Sequence, residues 1–298
     1  MIDYRHQTFL TLAEIKNYTK TAKQLHMTQP AVTQHIQFLE EKYKCKLFEY
    51  INKNLELTMQ GEELQKLLLK IAADIKHFKR DLNNINEFQE SLIFGATLSI
   101  GEYIMPNIIA KLLEQKSNLE ILMEVNNTEN LLKKLQLGDI DFAIVEGIFD
   151  KSKYQTHVFS LENFIPICAF ISDLAKTKVT LNEVTKASLI IREKGSGTRE
   201  ILEDILKQYN YSLNSFNKII EIGNMAAIKK LVANNTGITF LYEKVAQSEL
   251  DKELLHKINI HDFNIKREFN FVFLKNSFYE SKYIKYFKLM KDIYDNLS

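Results

Sequence analysis

Cysteine, proline, glycine and tryptophan are all scarce in this chain of 298 residues. It has two cysteines, Cys45 and Cys168, together with three prolines, nine glycines and no tryptophan. The two cysteines lie far apart and match no metal-ligand spacing, which excludes a disulfide framework or a zinc site, and we expect no metal or cofactor. The N-terminus MIDYRHQTFL lacks the pattern of a signal peptide, and no apolar run reaches the roughly 18 residues of a membrane span. We therefore expect a cytoplasmic protein.

The composition is that of an ordinary globular protein. Hydrophobic residues make up 45% of the chain and charged residues 26%, with a formal net charge of +1. A chain of this length can fold into two or three domains, each with its own core. Because the total charge is close to zero, any nucleic-acid-binding surface must be a local basic face. The near-neutral total charge thus favours a protein in which a nucleic-acid-binding module is attached to a second module of a different kind.

Residues 19–48 have the pattern of two helices joined by a tight turn. Thr28 is a good N-cap and Pro30 suits a first helical turn, so the second helix should begin at Thr28. Its inward stripe then consists of Val32, Ile36 and Leu39.

The opposite face of this second helix is polar and almost uncharged, and it carries Thr33, Gln34 and Gln37. A Gln amide can pair with adenine, and Thr can bond a base or touch a thymine methyl group. The pattern therefore predicts a helix-turn-helix that reads DNA, although an ordinary solvated helix has a similar pattern.

The amino-acid sequence of this segment resembles the winged helix-turn-helix of LysR-type transcriptional regulators. The similar positions are Ala22, Leu25, residues 28–33 (TQPAVT), Ile36, Leu39, Glu40, Leu47, Phe48, Leu57, Thr58 and Gly61. The resemblance implies that the following residues bind DNA: Thr28, Gln29, Pro30, Ala31, Thr33, Gln34, Gln37 and Lys53. Two positions depart from the family pattern, since Lys44 stands where Gly is usual and Tyr50 where Arg is usual. Because that Arg is missing, Lys53 would make the phosphate contact of the wing in its place.

The remaining elements of this module follow from its caps and its polar loop. We predict a first helix over residues 4–16 and a second beginning between Asn17 and Thr19. Residues 49–54 are predicted to form the loop of a two-stranded wing.

A regular apolar seam begins after Gly61. Its residues recur at alternating steps of four and three and are Leu64, Leu68, Ile71, Ile75, Phe78, Leu82 and Ile85. Such a heptad pattern predicts a long helix that needs a partner helix, and we interpret it as a dimerisation helix. The alternative is that it packs on its own C-terminal domain. A dimer fits DNA reading, because two recognition helices one turn apart read a two-fold site.

From Ser91 onward, strands and helices alternate. Strands are predicted at residues 91–97, 119–125 and 141–147, with helices at 103–116 and 130–137, which is typical of a parallel α/β sheet. A second series has strands predicted at 164–170, 187–193, 216–223 and 237–242, with helices near 181–185, after Gly197 and at 224–233. A strand at 267–274 and a helix at 279–297 end the chain. The simplest assembly is two α/β lobes with a cleft between them.

Ligands of open α/β sheets lie beyond the carboxyl ends of the strands. Three predicted loops fit that place: residues 96–101 with Thr97 and Ser99, the loops holding Thr128 and Glu146, and residues 193–199. In the last loop, EKGSGTR, two glycines and the donors of Ser196, Thr198 and Arg199 suit a small oxyanion. The alternative is that Gly195 and Gly197 only make a tight turn, and that Thr97 and Ser99 are only helix caps. Glu146 and Glu193 are unfavourable neighbours for an anion unless they point away or pair with Arg199.

Residues 195–200, 126–129 and 145–147 resemble the branch of LysR-type regulators that controls sulfur assimilation and carbon fixation. The resemblance implies a two-lobed effector domain like that of periplasmic binding proteins, joined to the winged helix-turn-helix by a long linker helix. It implies a DNA-binding domain at 1–60, a linker helix at 61–90 and an effector domain at 91–298. Lobe one would hold 91–162 and 267–298, and lobe two 163–266. The predicted effector-binding residues are Thr97, Ser99, Thr128, Gly195, Ser196, Gly197, Thr198, Arg199 and Asn224.

The leading hypothesis is therefore a transcriptional regulator without enzymatic activity. Its expected partners are double-stranded DNA with a two-fold operator, a small effector that is an oxyanion, further copies in a homodimer or homotetramer, and RNA polymerase. One alternative is a solute-binding or enzymatic α/β protein with an accessory helical domain, although no catalytic set is evident and no signal peptide is present. An effector-independent architectural DNA binder is the other alternative.

Overall fold

The structure is a computed structural model that describes residues 3–84 and 90–297. The chain separates into two compact units, one comprising residues 1–85 with 136–139 and the other comprising 86–135 with 140–298. Within the described residues, no helix combines the length and the apolar character needed to cross a membrane.

Three helices open the first unit: α1 (Tyr4–Ile15), α2 (Tyr18–Gln24) and α3 (Gln29–Tyr43). Their starts follow from the predicted caps, since Asn17 accepts from the Lys20 amide at 2.9 Å and Thr28 from the Ala31 amide at 3.4 Å. Buried side chains from all three helices form one core that includes Phe9, Leu12, Ala22, Val32 and Leu39. The helix-turn-helix prediction is confirmed.

A short hairpin follows, formed by β1 (Phe48–Ile51) and β2 (Asn54–Leu57). Its turn consists of Asn52 and Lys53, whose φ angles of 50° and 67° are both positive. Two central residues with positive φ make a type I′ turn, whose twist matches that of paired strands. The prediction of a loop over residues 49–54 was therefore too long, because the strands continue to the two-residue turn.

A helix of 26 residues, α4 (Met59–Asn84), follows the hairpin. Its apolar seam is divided. Leu64 and Leu68 are 9% and 5% exposed and belong to the core of the first unit, whereas Phe78 and Leu82 are 55% and 47% exposed. Ile85 lies outside the described residues. The first part of the seam thus packs within its own chain, and the exposed part is what remains for a partner helix.

The second unit begins with three parallel strands, β3 (Glu90–Ala96), β4 (Leu119–Val125) and β5 (Phe142–Val145). The connecting helices are α5 (Leu98–Tyr103), α6 (Met105–Gln115) and α7 (Thr128–Gln136). One helix was predicted at residues 103–116, but the chain forms two, which meet at Ile104 just before Pro106. Residues 98–101, predicted as part of a loop, therefore belong to a helix.

The next strand, β6 (Tyr154–Ala169), has 16 residues. Only its second part was predicted, because Val158 and Leu161 are exposed and polar residues interrupt the apolar pattern. The elements that follow are α8 (Leu181–Val184), β7 (Ser188–Ile191), α9 (Gly197–Gln208), β8 (Lys218–Glu221), α10 (Met225–Ala233), β9 (Thr239–Tyr242), α11 (Glu243–Asp251), β10 (Leu255–Lys257), β11 (Ile265–Leu274) and α12 (Glu280–Leu297). Neither α11 nor β10 was predicted.

The main sheet has the order β10-β6-β11-β5-β3-β4, with β9 also paired to β6, and β7 pairs with β8 in a separate parallel pair. The long β6 is antiparallel to β9, β10 and β11. The expectation of a parallel second series therefore holds for β7 and β8 and for the parallel bridge between Leu189 and Ile238, but not for β6. Strand β11 runs back along β6, with Arg267 opposite Glu162, so two long strands connect the two lobes of an α/β domain.

Candidate functional site

The exposed face of α3 carries the predicted DNA-reading side chains. Gln29, Gln34 and Gln37 are exposed, whereas Val32 and Ile36 are buried. Thr28 and Pro30 are exposed as well, and Ala31 and Thr33 are half-buried. This face presents hydrogen-bonding groups without charge, which suits base edges in a major groove.

One contact already orders two of these side chains. The side-chain amide of Gln29 donates to the Thr33 hydroxyl at 3.2 Å, and that hydroxyl donates to the backbone carbonyl oxygen of Gln29 at 3.2 Å. The side chains of Gln29 and Thr33 are thus held together on one side of α3. Gln34 is the next residue along the helix, so its side chain points in a different direction.

The hairpin carries Lys53 at its turn, where this residue is exposed. Tyr50 is 69% exposed on β1, at the position where an Arg is usual in LysR-type regulators. Two other lysines of this unit are paired within the chain, since Lys16 contacts Glu56 and Lys46 contacts Glu40. These two lysines are thus held by carboxylates of the same unit.

In the second unit, the predicted effector loops converge on the carboxyl group of Glu146. This residue directly follows β5, and its Oε1 atom accepts hydrogen bonds from the Ser99 hydroxyl at 3.0 Å and from the Thr198 hydroxyl at 2.9 Å. Ser99 lies on α5 of lobe one and Thr198 in the first turn of α9 of lobe two. Two predicted donors from opposite lobes thus meet at one oxygen atom.

Glu146 is 1% exposed, and burial raises the pKa of its carboxyl group to about 7. The hydroxyls of Thr198 and Ser99, the charge of Arg192 and the hydroxyl of Tyr242 oppose this effect, because each favours the ionised form. The pKa of the Tyr242 hydroxyl is raised by burial and, to a smaller extent, by the charge of Glu146. The site therefore holds a carboxyl group that can change protonation near neutral pH.

Three buried polar atoms of this region have no hydrogen-bond partner among the described residues. They are Oε2 of Glu146, the hydroxyl oxygen of Tyr242 and Oγ1 of Thr97. Thr97 directly follows β3, the strand beside β5, and occupies the N-cap position of α5 without forming a cap bond. The first two are neighbours, because the Tyr242 hydroxyl acts on the Glu146 carboxyl group as a side-chain hydrogen-bond partner. Thr97 Oγ1 is therefore the atom of the three that lacks a polar neighbour, and such a buried atom is costly.

Glycine is needed at three positions of this region, for two different structural reasons. Gly195 has a φ of +83°, so it makes the tight turn before α9. At Gly197 a Cβ atom would lie 2.6 Å from the Glu146 carbonyl oxygen, and at Gly147 it would lie 2.7 Å from the Gly197 Cα. These two glycines let the backbones of the two lobes touch.

The remaining predicted residues divide into two groups. Thr128 and Ser196 are buried at the site, and the Thr128 hydroxyl donates to the Glu146 carbonyl oxygen at 2.7 Å. Asn224 instead caps α10 by accepting from the Ala227 amide at 2.9 Å.

Arg199 is also directed elsewhere. Its guanidinium contacts Glu203 at 2.8 Å and Glu221 at 2.6 Å and donates to the Arg192 carbonyl oxygen at 3.2 Å. Neither Glu146 nor Glu193 pairs with Arg199, because Glu193 pairs with Arg192 at 2.7 Å and Glu146 accepts from two hydroxyls. Arg199 thus stabilises α9 and its surroundings.

Sequence reasoning missed two residues of the site, Arg192 and Tyr242. Both stand at the carboxyl ends of strands, β7 and β9, which is the signal that could have identified them. Arg192 is 4% exposed and Tyr242 is fully buried.

Two family models match the chain. Residues 5–62 match "Bacterial regulatory helix-turn-helix protein, lysR family", and residues 86–285 match "LysR substrate binding domain". The chain is 26% identical over 272 residues to the HTH-type transcriptional regulator CysL of Bacillus subtilis, covering 89% of each chain. It is also 26% identical over 258 residues to a probable RuBisCO transcriptional regulator of Cyanidium caldarium, covering 84% of this chain and 81% of the other.

Among solved structures, the regulatory domain of CcmR from Synechocystis PCC6803 in complex with 2-PG is similar, with a TM-score of 0.61 and 23% identity. The match covers 69% of this chain and 98% of that chain. At this identity the likeness establishes the fold of the second unit, a two-lobed effector domain.

Proposed function

Because the chain belongs to the LysR family of DNA-binding transcriptional regulators, we propose that a small oxyanion held between the two lobes of its effector domain modulates operator binding or activation. Members of this family are regulators and not enzymes. The proposed domains are residues 1–60 for DNA binding, 61–90 for the linker helix and 91–298 for the effector domain, with lobe one at 91–162 and 267–298 and lobe two at 163–266.

The observation that carries this proposal is the convergence of Ser99 and Thr198 on one carboxyl oxygen. The two hydroxyls come from opposite lobes and donate to Oε1 of Glu146 at 3.0 and 2.9 Å. Such hydroxyl donors suit an oxyanion, which has to take the place of the Glu146 carboxyl group on them. The first turn of α9 adds to this, because the Ser196 side chain does not cap it and helix N-termini favour anions. The complex of CcmR with 2-PG supports a small-molecule ligand for a domain of this fold.

Such a ligand can act as a switch if it binds one arrangement of the lobes better than another. The backbones of Gly147 and Gly197 touch in the present arrangement, and the Thr198 hydroxyl joins the lobes through Glu146. A ligand that inserts between Ser99 and Thr198 must separate these contacts. Its binding free energy is then coupled to the position of lobe two relative to lobe one.

The DNA-binding part of the proposal assigns base reading to Gln29, Thr33, Gln34 and Gln37, and phosphate contact to Lys53. A homodimer would present two such readers to a two-fold operator, with the exposed Phe78 and Leu82 of α4 in contact with the partner helix. Assembly into a homotetramer and contact with RNA polymerase belong to the same proposal.

The experiment compares two variants of the full-length protein on a duplex selected from a random library. Gln34→Ala is expected to weaken binding to the selected duplex by about 1–3 kcal/mol while leaving binding to random DNA unchanged. Lys53→Ala is the matched control, expected to weaken binding to both duplexes alike and to lower the salt slope by about 1. Equal discrimination by the Gln34 variant and the unaltered protein in gel-shift titrations would contradict the assignment.

The effector part is tested by thermal shift with sulfate, sulfite, thiosulfate, phosphate, O-acetylserine and carboxylates. A ligand of the folded protein raises the melting temperature by mass action. Stabilisation by an oxyanion that also shifts operator affinity supports the proposal. Operator binding that no such compound alters would favour an architectural DNA binder, and turnover of a compound would favour the enzymatic alternative.

A further inference from the structure

We propose that Arg5 contacts a DNA phosphate beside the recognition helix α3, where the ring of Phe38 holds its guanidinium, and that Lys42 makes a second phosphate contact next to it. These three residues are named the basic edge of α3. The inference rests on the proposed function of α3 as the reader of DNA. It deepens that function, because it adds an electrostatic contact from α1 to the predicted set of DNA-binding residues.

The basic edge continues a row of side chains that begins with a proposed base reader. Phe38 follows Gln34 by four residues and Lys42 follows Phe38 by four, so all three lie on one side of α3. All three are exposed, and Phe38 is 40% exposed although its ring is apolar. The row thus leads from a proposed base reader, through an exposed aromatic ring, to a cation.

Arg5 reaches this row from another helix. It lies in the first turn of α1, and its Cζ atom is 3.9 Å from the centroid of the Phe38 ring. A guanidinium that stacks on a ring uses its face, and its N–H groups, which lie in its plane, stay open to other acceptors. Asp3 accepts from Nη1 at 3.1 Å, which is the only hydrogen bond of this guanidinium among the described residues. The remaining N–H groups can bind a phosphate in a bidentate geometry.

The two cations of the basic edge lie close to each other. Burial lowers the pKa of His6, and the charges of Lys42 and Arg5 lower it further, against the opposite effect of Asp3. The two cations therefore act on one place, although they belong to different helices. Lys42 has no ion-pair partner within residues 3–84 and 90–297, whereas two other lysines of the same unit are held by glutamates. Its ammonium group is thus available to a phosphate.

The alternative is that the stack of Arg5 on Phe38 only fastens α1 to α3. The two possibilities differ in a measurable way. A phosphate contact releases counterions, so its loss reduces the salt dependence of binding and weakens the binding of all DNA sequences alike. The loss of a purely structural contact changes the melting temperature and leaves the salt dependence as it was.

The test is a series of gel-shift titrations of the full-length protein over an about fourfold range of salt concentration, with the selected duplex and with random DNA. Arg5→Gln is expected to weaken binding to both duplexes by the same factor and to lower the salt slope by about 1 for each chain bound. Over this range the variant should lose about fourfold less affinity for each chain than the unaltered protein. Lys42→Gln, which changes an exposed side chain outside the core, should give the same result.

Variants of Phe38 test the role of its ring. Phe38→Tyr keeps the ring and should bind like the unaltered protein, whereas Phe38→Leu should weaken binding to both duplexes and lower the salt slope. When Arg5→Gln is also present, Phe38→Leu should have no further effect on the salt slope, because the ring acts through Arg5. Lys66→Gln is the matched control, since it removes an exposed cation of the same unit that pairs with Glu63 on α4. It should leave the salt slope unchanged.

An unchanged salt slope in Arg5→Gln, or in Lys42→Gln where Arg5→Gln proves unstable, would overturn the inference. So would a loss of discrimination between the two duplexes in Arg5→Gln, since a phosphate contact carries no sequence information. Gln34→Ala separates this failure from a failure of the proposed function. If that variant loses discrimination while the basic edge has no effect, α3 still reads DNA and only the basic edge is rejected. Melting curves of every variant establish that it is folded.

Discussion

The hydroxyl of Thr198 donates a hydrogen bond of 2.9 Å to Oε1 of Glu146, and this bond joins the first turn of α9 to the end of β5. Both residues are almost fully buried. Beside them, Gly197 and Gly147 bring the two backbones into contact. Because the bond crosses between the lobes, any ligand that competes for either group also changes how the lobes are held.

Thr198 and its neighbour Arg199 should therefore respond differently to substitution. Thr198→Val keeps the shape but removes the donor, and we expect it to weaken oxyanion binding by about 1 kcal/mol or more. Arg199→Ala leaves Glu203 and Glu221 without their partner, and we expect it to lower the melting temperature with a smaller effect on anion binding. Thermal melting and calorimetry on both variants distinguish these outcomes. Loss of anion binding only in the Arg199 variant would contradict the placement of the site.

The stability of the second unit should depend on the ionisation of Glu146. Its pKa is raised from 4.5 to about 7, so folding takes up a proton between these values. The resulting stabilisation is present in full below pH 4.5 and is lost as the pH rises through about 7. Between these limits it amounts to at most about 3 kcal/mol.

Glu146→Gln isolates this contribution, because the amide does not titrate. The melting temperature of this variant relative to the unaltered protein should rise between about pH 5 and about pH 8. Other ionisable groups affect both proteins equally and cancel in the difference. A difference that stays constant across this range would show that Glu146 does not titrate there.

Lys44 ends α3 with a φ of 54° and a ψ of 37°, a left-handed conformation that Gly adopts without strain. The family usually has Gly at this position, and Lys44→Gly should stabilise the first unit by about 0.5–1 kcal/mol. Lys42→Gly in the last turn of the same helix is the control and should destabilise it by about 1 kcal/mol. Urea denaturation followed by circular dichroism measures both changes, and destabilisation by Lys44→Gly would refute the strain argument.

The divided seam of α4 predicts two separate effects. Leu82→Glu places a charge on an exposed apolar position, so it should lower the oligomeric state while the helices remain folded. Leu68→Ala removes a side chain from the core of the first unit and should cost about 2–5 kcal/mol of stability. Sedimentation and melting curves separate the two.

Lys79→Glu, an exposed polar position of the same helix, is the control and should leave the oligomeric state unchanged. Dissociation caused equally by the Lys79 and Leu82 variants would mean that charge, and not the apolar seam, controls assembly.

Local signals in the sequence determined the first unit almost completely. The caps Asn17 and Thr28 and the stripe of Val32, Ile36 and Leu39 specify two helices and their buried face, because capping and helical periodicity act over a few residues. The parallel strands β3, β4 and β5 were likewise determined by local signals, because each is an apolar run that ends at a loop. The donors Ser99 and Thr198 could be identified because such loops lie at the carboxyl ends of strands.

Only the tertiary structure decided which groups meet in the cleft. Glu146, Arg192 and Tyr242 are 46 or more positions apart from one another in sequence. In the fold, Arg192 and Tyr242 both act on the buried carboxyl group of Glu146. Likewise, the first part of β6, which contains the exposed Val158 and Leu161, extends this strand to 16 residues through its pairing with β11. Arg199 turned to Glu203 and Glu221 because those carboxylates lie within reach in the fold. The sequence by itself determined which elements form and which residues end the strands, since those depend on local periodicity and caps. The partner of each polar side chain depends on long-range packing, and the hydrogen bonds of Ser99 and Thr198 to the Glu146 carboxyl group are its result.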